Sequence, residues 1–226
     1  MPRFLSLLVC LPLLAAAQLA QISSGAIQAI GSATISVNPD QAQLDVGVVT
    51  QGATAQDAGQ QNASLTTTVL NALKGVLGAS GTIQTIGYSV SPRYSTTQGQ
   101  PSVIIGYTAS NTVQATTVDL SLIGRLIDTA NQAGANSVGN LSFGLQNPEP
   151  IVEQALGLAA KQAQAHATAI AAGLGAKTGT VISALEGASV TPIVSPGVAG
   201  TAATTPIQTG TVKVTASVTI SVRLIP

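Results

Sequence analysis

From Thr211 to Leu224 the chain alternates without a break. Val212, Val214, Ala216, Val218, Ile220, Val222 and Leu224 fall on one side, and Thr211, Lys213, Thr215, Ser217, Thr219, Ser221 and Arg223 on the other. Successive side chains of a strand point to opposite faces, while a helix repeats every ~3.6 residues, so this run is a strand. Its apolar and polar sides place it centrally in an antiparallel sheet with one covered face. Whatever precedes it must supply neighbours for that strand and a layer to cover its apolar side.

The preceding sequence provides both. Ile27, Ala29, Gly31, Ala33, Ile35 and Val37 alternate with mostly polar residues, which predicts a half-buried strand. Asn38-Pro39-Asp40 supplies a turn, and a second strand runs through Leu44, Val46 and Val48. From Thr54 to Leu77 the period becomes helical, with Ala58, Leu65, Val69, Leu73 and Val76 on one stripe. Thr54 is placed to cap that helix, Asp57 suits its positive end, and Gly78 suits its left-handed stop. Strands at Ile83 to Tyr94 and Val103 to Val113 are joined by the polar loop Ser95 to Pro101.

A second helix is expected from Asp119 to Ala133, with Gly134 as its stop, and a strand through Leu141, Phe143 and Leu145. Asn147-Pro148-Glu149-Pro150 opens a third helix, where early prolines are harmless because first-turn amides lack partners. Its inward face reads Val152, Ala155, Ala159, Ala163, Ala167, Ile170 and Leu174. A strand at Val181 to Leu185 leads into an uncharged tract, Gly187 to Gly210, whose composition predicts a long mobile loop. The order ββαββαβαββ is that of an α+β fold, a mostly antiparallel sheet with three helices.

The N-terminus places the chain outside the cytoplasm. Arg3, the apolar stretch Phe4 to Ala17 and the small residues Ala15-Ala16-Ala17 form a secretory signal over residues 1–17, with cleavage expected after Ala17. Residues 18–25 then form a flexible lead into one domain over 26–226. The stretch is shorter than the ~20 residues a membrane span needs, so the mature chain is expected to carry no transmembrane helix. Val9 before Cys10 is too large for a lipoprotein cleavage site. Cys10 therefore leaves with the leader, and with it any disulfide, thiolate metal site or cysteine nucleophile.

Ionisable groups are scarce: 8 Lys and Arg, 8 Asp and Glu and one His in 226 residues. A near-zero charge gives no field to steer nucleic acid, and the absence of Trp removes the usual stacking platforms, so nucleic acid is not an expected partner.

Several short segments, taken in order, resemble the SIMPL-domain family, which includes periplasmic and outer-membrane-associated immunogenic proteins and oxidative-stress defence proteins. They are Gly31-Ser32-Ala33-Thr34 with Pro39-Asp40, Gln84-Thr85 with Tyr88, Ser91-Pro92-Arg93-Tyr94, and Ile105-Gly106-Tyr107-Thr108-Ala109-Ser110-Asn111. The series continues with the Asp119 to Asp128 helix, Gly134-Ala135-Asn136 and Leu141-Ser142-Phe143. The resemblance runs from about Ala26 to Leu224. It implies a secreted or periplasmic α+β protein tied to stress resistance or to envelope assemblies, and it brings no catalytic residues with it.

The residues themselves assign no catalytic, cofactor or metal site. His166 lies near the inward stripe of the third helix, but no acidic side chain stands one turn away, so a packed or edge histidine is expected. Gly173-Leu174-Gly175-Ala176-Lys177-Thr178-Gly179 has Ala176 where a phosphate loop needs glycine and follows a helix instead of a strand, which makes it a helix stop and turn. Ser195 has no base to activate it. Asp119 and Asp128 sit at opposite ends of one helix, and Glu149 and Glu153 suit a helix start.

Tyr88, Tyr94 and Tyr107 are expected to pack across paired strands, and Arg93, Asn111 and Asn136 to serve turns and backbone. Asn62-Ala63-Ser64 and Asn140-Leu141-Ser142 are glycosylation sequons. The leading expectation is a non-enzymatic envelope protein acting by binding or self-assembly, with an envelope protein or a second copy as partner and no cofactor. A carrier with an apolar pocket beneath the third helix is the first alternative, and an extracytoplasmic hydrolase the second.

Overall fold

The computed structural model describes residues 25–95, 101–194 and 207–226. The signal segment, most of 18–25, residues 96–100 of the polar loop and half of the 187–210 tract, Ser195 included, lie outside the described residues. In chain order the elements are β1 (Ala26–Val37), β2 (Gln41–Gly52), α1 (Ala55–Leu77), β3 (Gly81–Tyr94) and β4 (Ile104–Thr117). A 3-10 turn (Leu120–Leu122) leads into α2 (Ile123–Gln132), followed by β5 (Ser137–Gly144), α3 (Glu149–Gly173), β6 (Lys177–Thr191), β7 (Ile193–Val194) and β8 (Val212–Ile225). The fold is α+β, as the order of sequence periods predicts.

The strands form two antiparallel sheets, ordered β1-β8-β6 and β3-β4-β2-β5-β7. The C-terminal strand β8 is the central one of its sheet. Val212, Val214, Ala216, Val218, Ile220 and Val222 are buried beneath α3, while Lys213, Thr215 and Ser217 face solvent. On the second sheet α1 covers β2 and β4, and α2 packs beside it. Leu44, Val46 and Val48 of β2 meet Val69, Leu73 and Leu77 of α1, Ile123 and Leu126 of α2, and Phe143 of β5.

Helix ends follow the local chemistry. The Thr54 hydroxyl accepts from the Asp57 amide at 3.1 Å and starts α1. Gly134 (φ 102) closes α2 and Gly175 (φ 72) closes α3, each by a Schellman pair of bonds: Ala135 N to Ala130 O with Gly134 N to Asn131 O, and Ala176 N to Ala171 O with Gly175 N to Ala172 O. The glycine-bearing 173–179 segment is thus a helix stop. Asp119 caps the 3-10 turn, so the helix expected from Asp119 begins with a tighter turn and is α-helical only from Ile123.

Two expectations are corrected. The inward face of α3 is Ala155, Ala159, Ala163, Ala167 and Ala171, all buried, while Ile170 is 44% and Leu174 67% exposed. A strict four-residue repeat forms a ridge inclined to the helix axis, and this ridge lies on the sheet, turning Ile170 and Leu174 outward. A larger residue would hold the helix off: a Cβ built on Gly31 of β1 stands 2.1 Å from Ala159 O and 2.4 Å from Ala163 N. The second correction concerns the start of the 187–210 tract. β6 runs on to Thr191, with Gly187 paired to Ser217 and Thr191 to Lys213, because ladder bonds need only backbone groups. After Pro192 the chain crosses to the other sheet, where Ile193 and Val194 pair with Phe143 and Ser142 of β5.

Candidate functional site

Of the titratable residues singled out in the sequence, His166, Asp119 and Glu149 lie at structural posts. His166 is exposed on α3, its Nδ1 2.8 Å from Ile30 O. A carbonyl only accepts, so Nδ1 carries the proton in that bond. Four residues earlier Gln162 Oε1 accepts from Ser32 N at 2.6 Å. Both partners are backbone groups on the β1 edge that faces away from β8. Gln162 and His166 therefore clamp an otherwise open strand edge, a role that sequence reading missed for Gln162. Asp119 holds the Ser121 amide at 3.1 Å and hydroxyl at 2.6 Å, and Asn147 accepts from the Glu149 amide at 3.3 Å. Among the described residues no group of three or more His, Cys, Asp or Glu converges.

The amide side chains are also absorbed by the fold. Asn62, on the inward face of α1, is fully buried and donates to Val48 O at 2.7 Å and Ala109 O at 3.2 Å, so its sequon is closed inside the core. Asn140, at φ 45, donates to Asp45, which also accepts from Gln114, while Gln84 donates to Gln114. A polar chain thus crosses β3, β4, β2 and β5 on the face away from α1. Asn136 copies a strand residue: its Oδ1 accepts from Val49 N at 2.8 Å and its Nδ2 donates to Val49 O at 2.7 Å. Arg93 donates to Gln51, and Asn111 keeps a buried oxygen without a partner.

The strands that carry the tyrosines, β3 and β4, pair as expected, but Tyr88 stands opposite Asn111, Tyr107 opposite Pro92 and Tyr94 opposite Ile104, and Tyr88 is 59% and Tyr94 52% exposed. They stand along an open edge. Of the four strands that end the two sheets, β1 is clamped by α3, and β7 is only two residues long. Among the described residues the other two are long and uncovered: β3 with 14 residues and β6 with 15. Beside them lie exposed Ile86 and Tyr88 on β3, and Val181, Ile182 and Leu185 on β6. Natural sheets usually blunt such edges with charge or proline, and here β3 carries Arg93 and Pro92 near its C-terminal end and β6 carries Lys177 and Glu186, which leaves the middle of β3 without either device.

The space a carrier would need beneath α3 is filled by backbone contact at Gly31. What remains beside it is an open groove of about 220 Å³ lined by Gln164, Thr168, Gly179 and Val181 among others. No helix among the described residues is long and apolar enough to cross a membrane.

Comparison with known proteins adds the family. The model of SIMPL, a protein of unknown function (DUF541), matches residues 27–222, from the first inward residue of β1 to the last of β8 beneath α3. The chain belongs to the SIMPL family. It is similar to proteins named 26 kDa periplasmic immunogenic protein from Brucella melitensis biotype 1 (strain 16M) and Brucella abortus (strain S19), 27% identical to each over 164 residues. Those residues are 71% of this chain and 66% of each relative, just under two thirds of their length. The residues that carried the family resemblance in the sequence hold turns, close approaches and edge contacts: Gly31 admits α3, Gly134 ends α2 and Asn136 extends the β2–β5 ladder.

Proposed function

We propose that this SIMPL-family chain is a periplasmic protein of the cell envelope that acts by binding and self-assembly and makes or breaks no covalent bond. One observation carries the reading: among the described residues two long, weakly charged strand edges are left open, on a chain whose Asp119 and lone His166 serve a cap and a strand edge. An open edge presents a row of unpaired backbone donors and acceptors, which recognises another strand with little regard to its side chains. The periplasmic location rests on the names of the Brucella relatives and on the N-terminal apolar stretch.

The test is light scattering of the protein isolated from the periplasmic fraction of its host, over a hundredfold range of concentration. A particle several times the chain mass is expected. A strict monomer throughout overturns self-assembly, and recovery in the cytosol overturns the location. The link to stress defence is tested by survival of a deletion strain under peroxide, with loss of resistance expected.

A further inference from the structure

Resting on the self-assembly reading, we propose that the seam between copies joins β3 of one chain to β6 of the next, head to tail. The geometry of the four sheet-ending strands leads there. β1 is occupied by Gln162 and His166, and among the described residues β7 offers only the two positions Ile193 and Val194. A two-fold seam, β3 to β3 or β6 to β6, consumes one long edge and leaves the other bare, with Ile86 and Tyr88 or Leu185 still in water. A β3–β6 seam uses both and leaves none once the ring closes. It is matched in length at 14 and 15 residues, and it brings Arg93, the sole charge of β3, to the strand that carries Glu186.

The backbone directions identify which residues make the seam. Ile30 O and Ser32 N point away from β8, so the odd-numbered residues of β1 bond to it, and these pair with even-numbered residues of β8, such as Gly31 with Val218. The odd-numbered residues of β8 therefore bond to β6, as in Ser217 with Gly187 and Thr215 with Ser189. That leaves Ala184, Glu186, Ala188 and Val190 with backbone groups aimed at the open edge. On β3 the marker is Pro92, since proline sits in an edge strand with its nitrogen turned outward. Val90 and Tyr88, two and four residues earlier, share that direction.

Proline at such a position removes an outward amide and keeps the inner ladder. Val90→Pro and Ala188→Pro should each reduce the wild-type assembly to monomer, and an equimolar mixture should give a 1:1 heterodimer, because one chain retains β6 and the other β3. Folding is checked by circular dichroism. If a proline variant does not fold, Tyr88→Lys and Leu185→Lys place charge on exposed residues beside the same edges and take over the test. A dimer that survives one variant and is lost in the other overturns the head-to-tail seam in favour of a two-fold one. Full assembly in all variants overturns the use of these edges and leaves self-assembly standing, whereas monomeric wild-type protein overturns self-assembly itself.

Discussion

The two sheets of this protein are covered by opposite means. Over β2 and β4 the covering helices bring large side chains, and Phe143, Leu44, Leu73, Ile123 and Leu126 are fully buried between the layers. Over β1 and β8, the fully buried residues of α3 are all alanines, with Leu156 partly buried beside them, and its backbone approaches Gly31 too closely for any side chain. The first layer gains its stability from apolar area, at roughly 1.5–3 kcal/mol per large side chain. The second buries little area per residue and depends on distance, because dispersion between backbones falls off within an ångström of added separation. The two layers should therefore fail differently: the first by losing volume, the second by gaining it.

The sharpest way to break the comparison is Gly31→Val. Its Cβ falls on the carbonyl of Ala159 and the amide of Ala163, which belong to helix backbone and have no rotamer to retreat into. A loss of about 4–5 kcal/mol is expected, the range reserved for severe core defects, with α3 displaced from the sheet. Urea denaturation checks the magnitude, and hydrogen exchange at β1 and α3 checks the place. Next comes Phe143→Ala, which empties the first layer without a clash and should cost about 3–5 kcal/mol with α3 still protected. Equal protection patterns in the two variants would show that the layers do not differ as described.

Why some of this was legible in the sequence and some was not follows from the same contrast. β8 is central and one of its faces is wholly covered, so burial imposed strict alternation on it; α1 lies on a sheet with large residues, so its stripe is plain. In α3 the rule fails, because alanine is acceptable on either face and Ile170 and Leu174 satisfy a helical period while pointing to solvent. The alanine-rich face of α3 signals a close approach, and the glycine at position 31 inside an alternating strand is where it occurs. β6 was read as five residues and spans fifteen, since an edge strand exposed on both faces has no pattern to select and is held by ladder bonds that every residue type supplies. The candidate site suffers the same limit. An open edge is defined by the neighbour it lacks, so it appears only once the pairing order of all strands is known.

Within the first layer the buried polar residues are Asn62, Thr66 and Thr117, and Asn62 is the one amide among them. Asn62→Ala leaves the carbonyls of Val48 and Ala109 without their donor, and about 2 kcal/mol of destabilisation is expected, less than for Phe143→Ala because no large cavity opens. Asn62→Leu, which restores volume but not the donor, should be no better. A near-neutral result for Asn62→Leu in urea denaturation would show that the site tolerates apolar filling and that the buried amide contributes no net stability.

The smallest effect on stability belongs to the edge clamp of the second layer, and it is the one that bears on function. Gln162 and His166 each make one bond to the β1 backbone at the surface, so Gln162→Ala with His166→Ala should cost only about 1–2 kcal/mol together. Their greater consequence is exclusion. While they are in place, the Ile30 carbonyl and the Ser32 amide are spoken for and β1 cannot accept a strand. Removing them turns a third long edge outward, with exposed Ile30 beside it. The double variant should therefore remain folded by circular dichroism yet associate beyond the wild-type particle in light scattering, and Ile30→Lys in the same background should reverse the excess. If the double variant keeps the wild-type mass at high concentration, the clamp does not guard the edge, and the closing of β1 must be ascribed to the bulk of α3 alone.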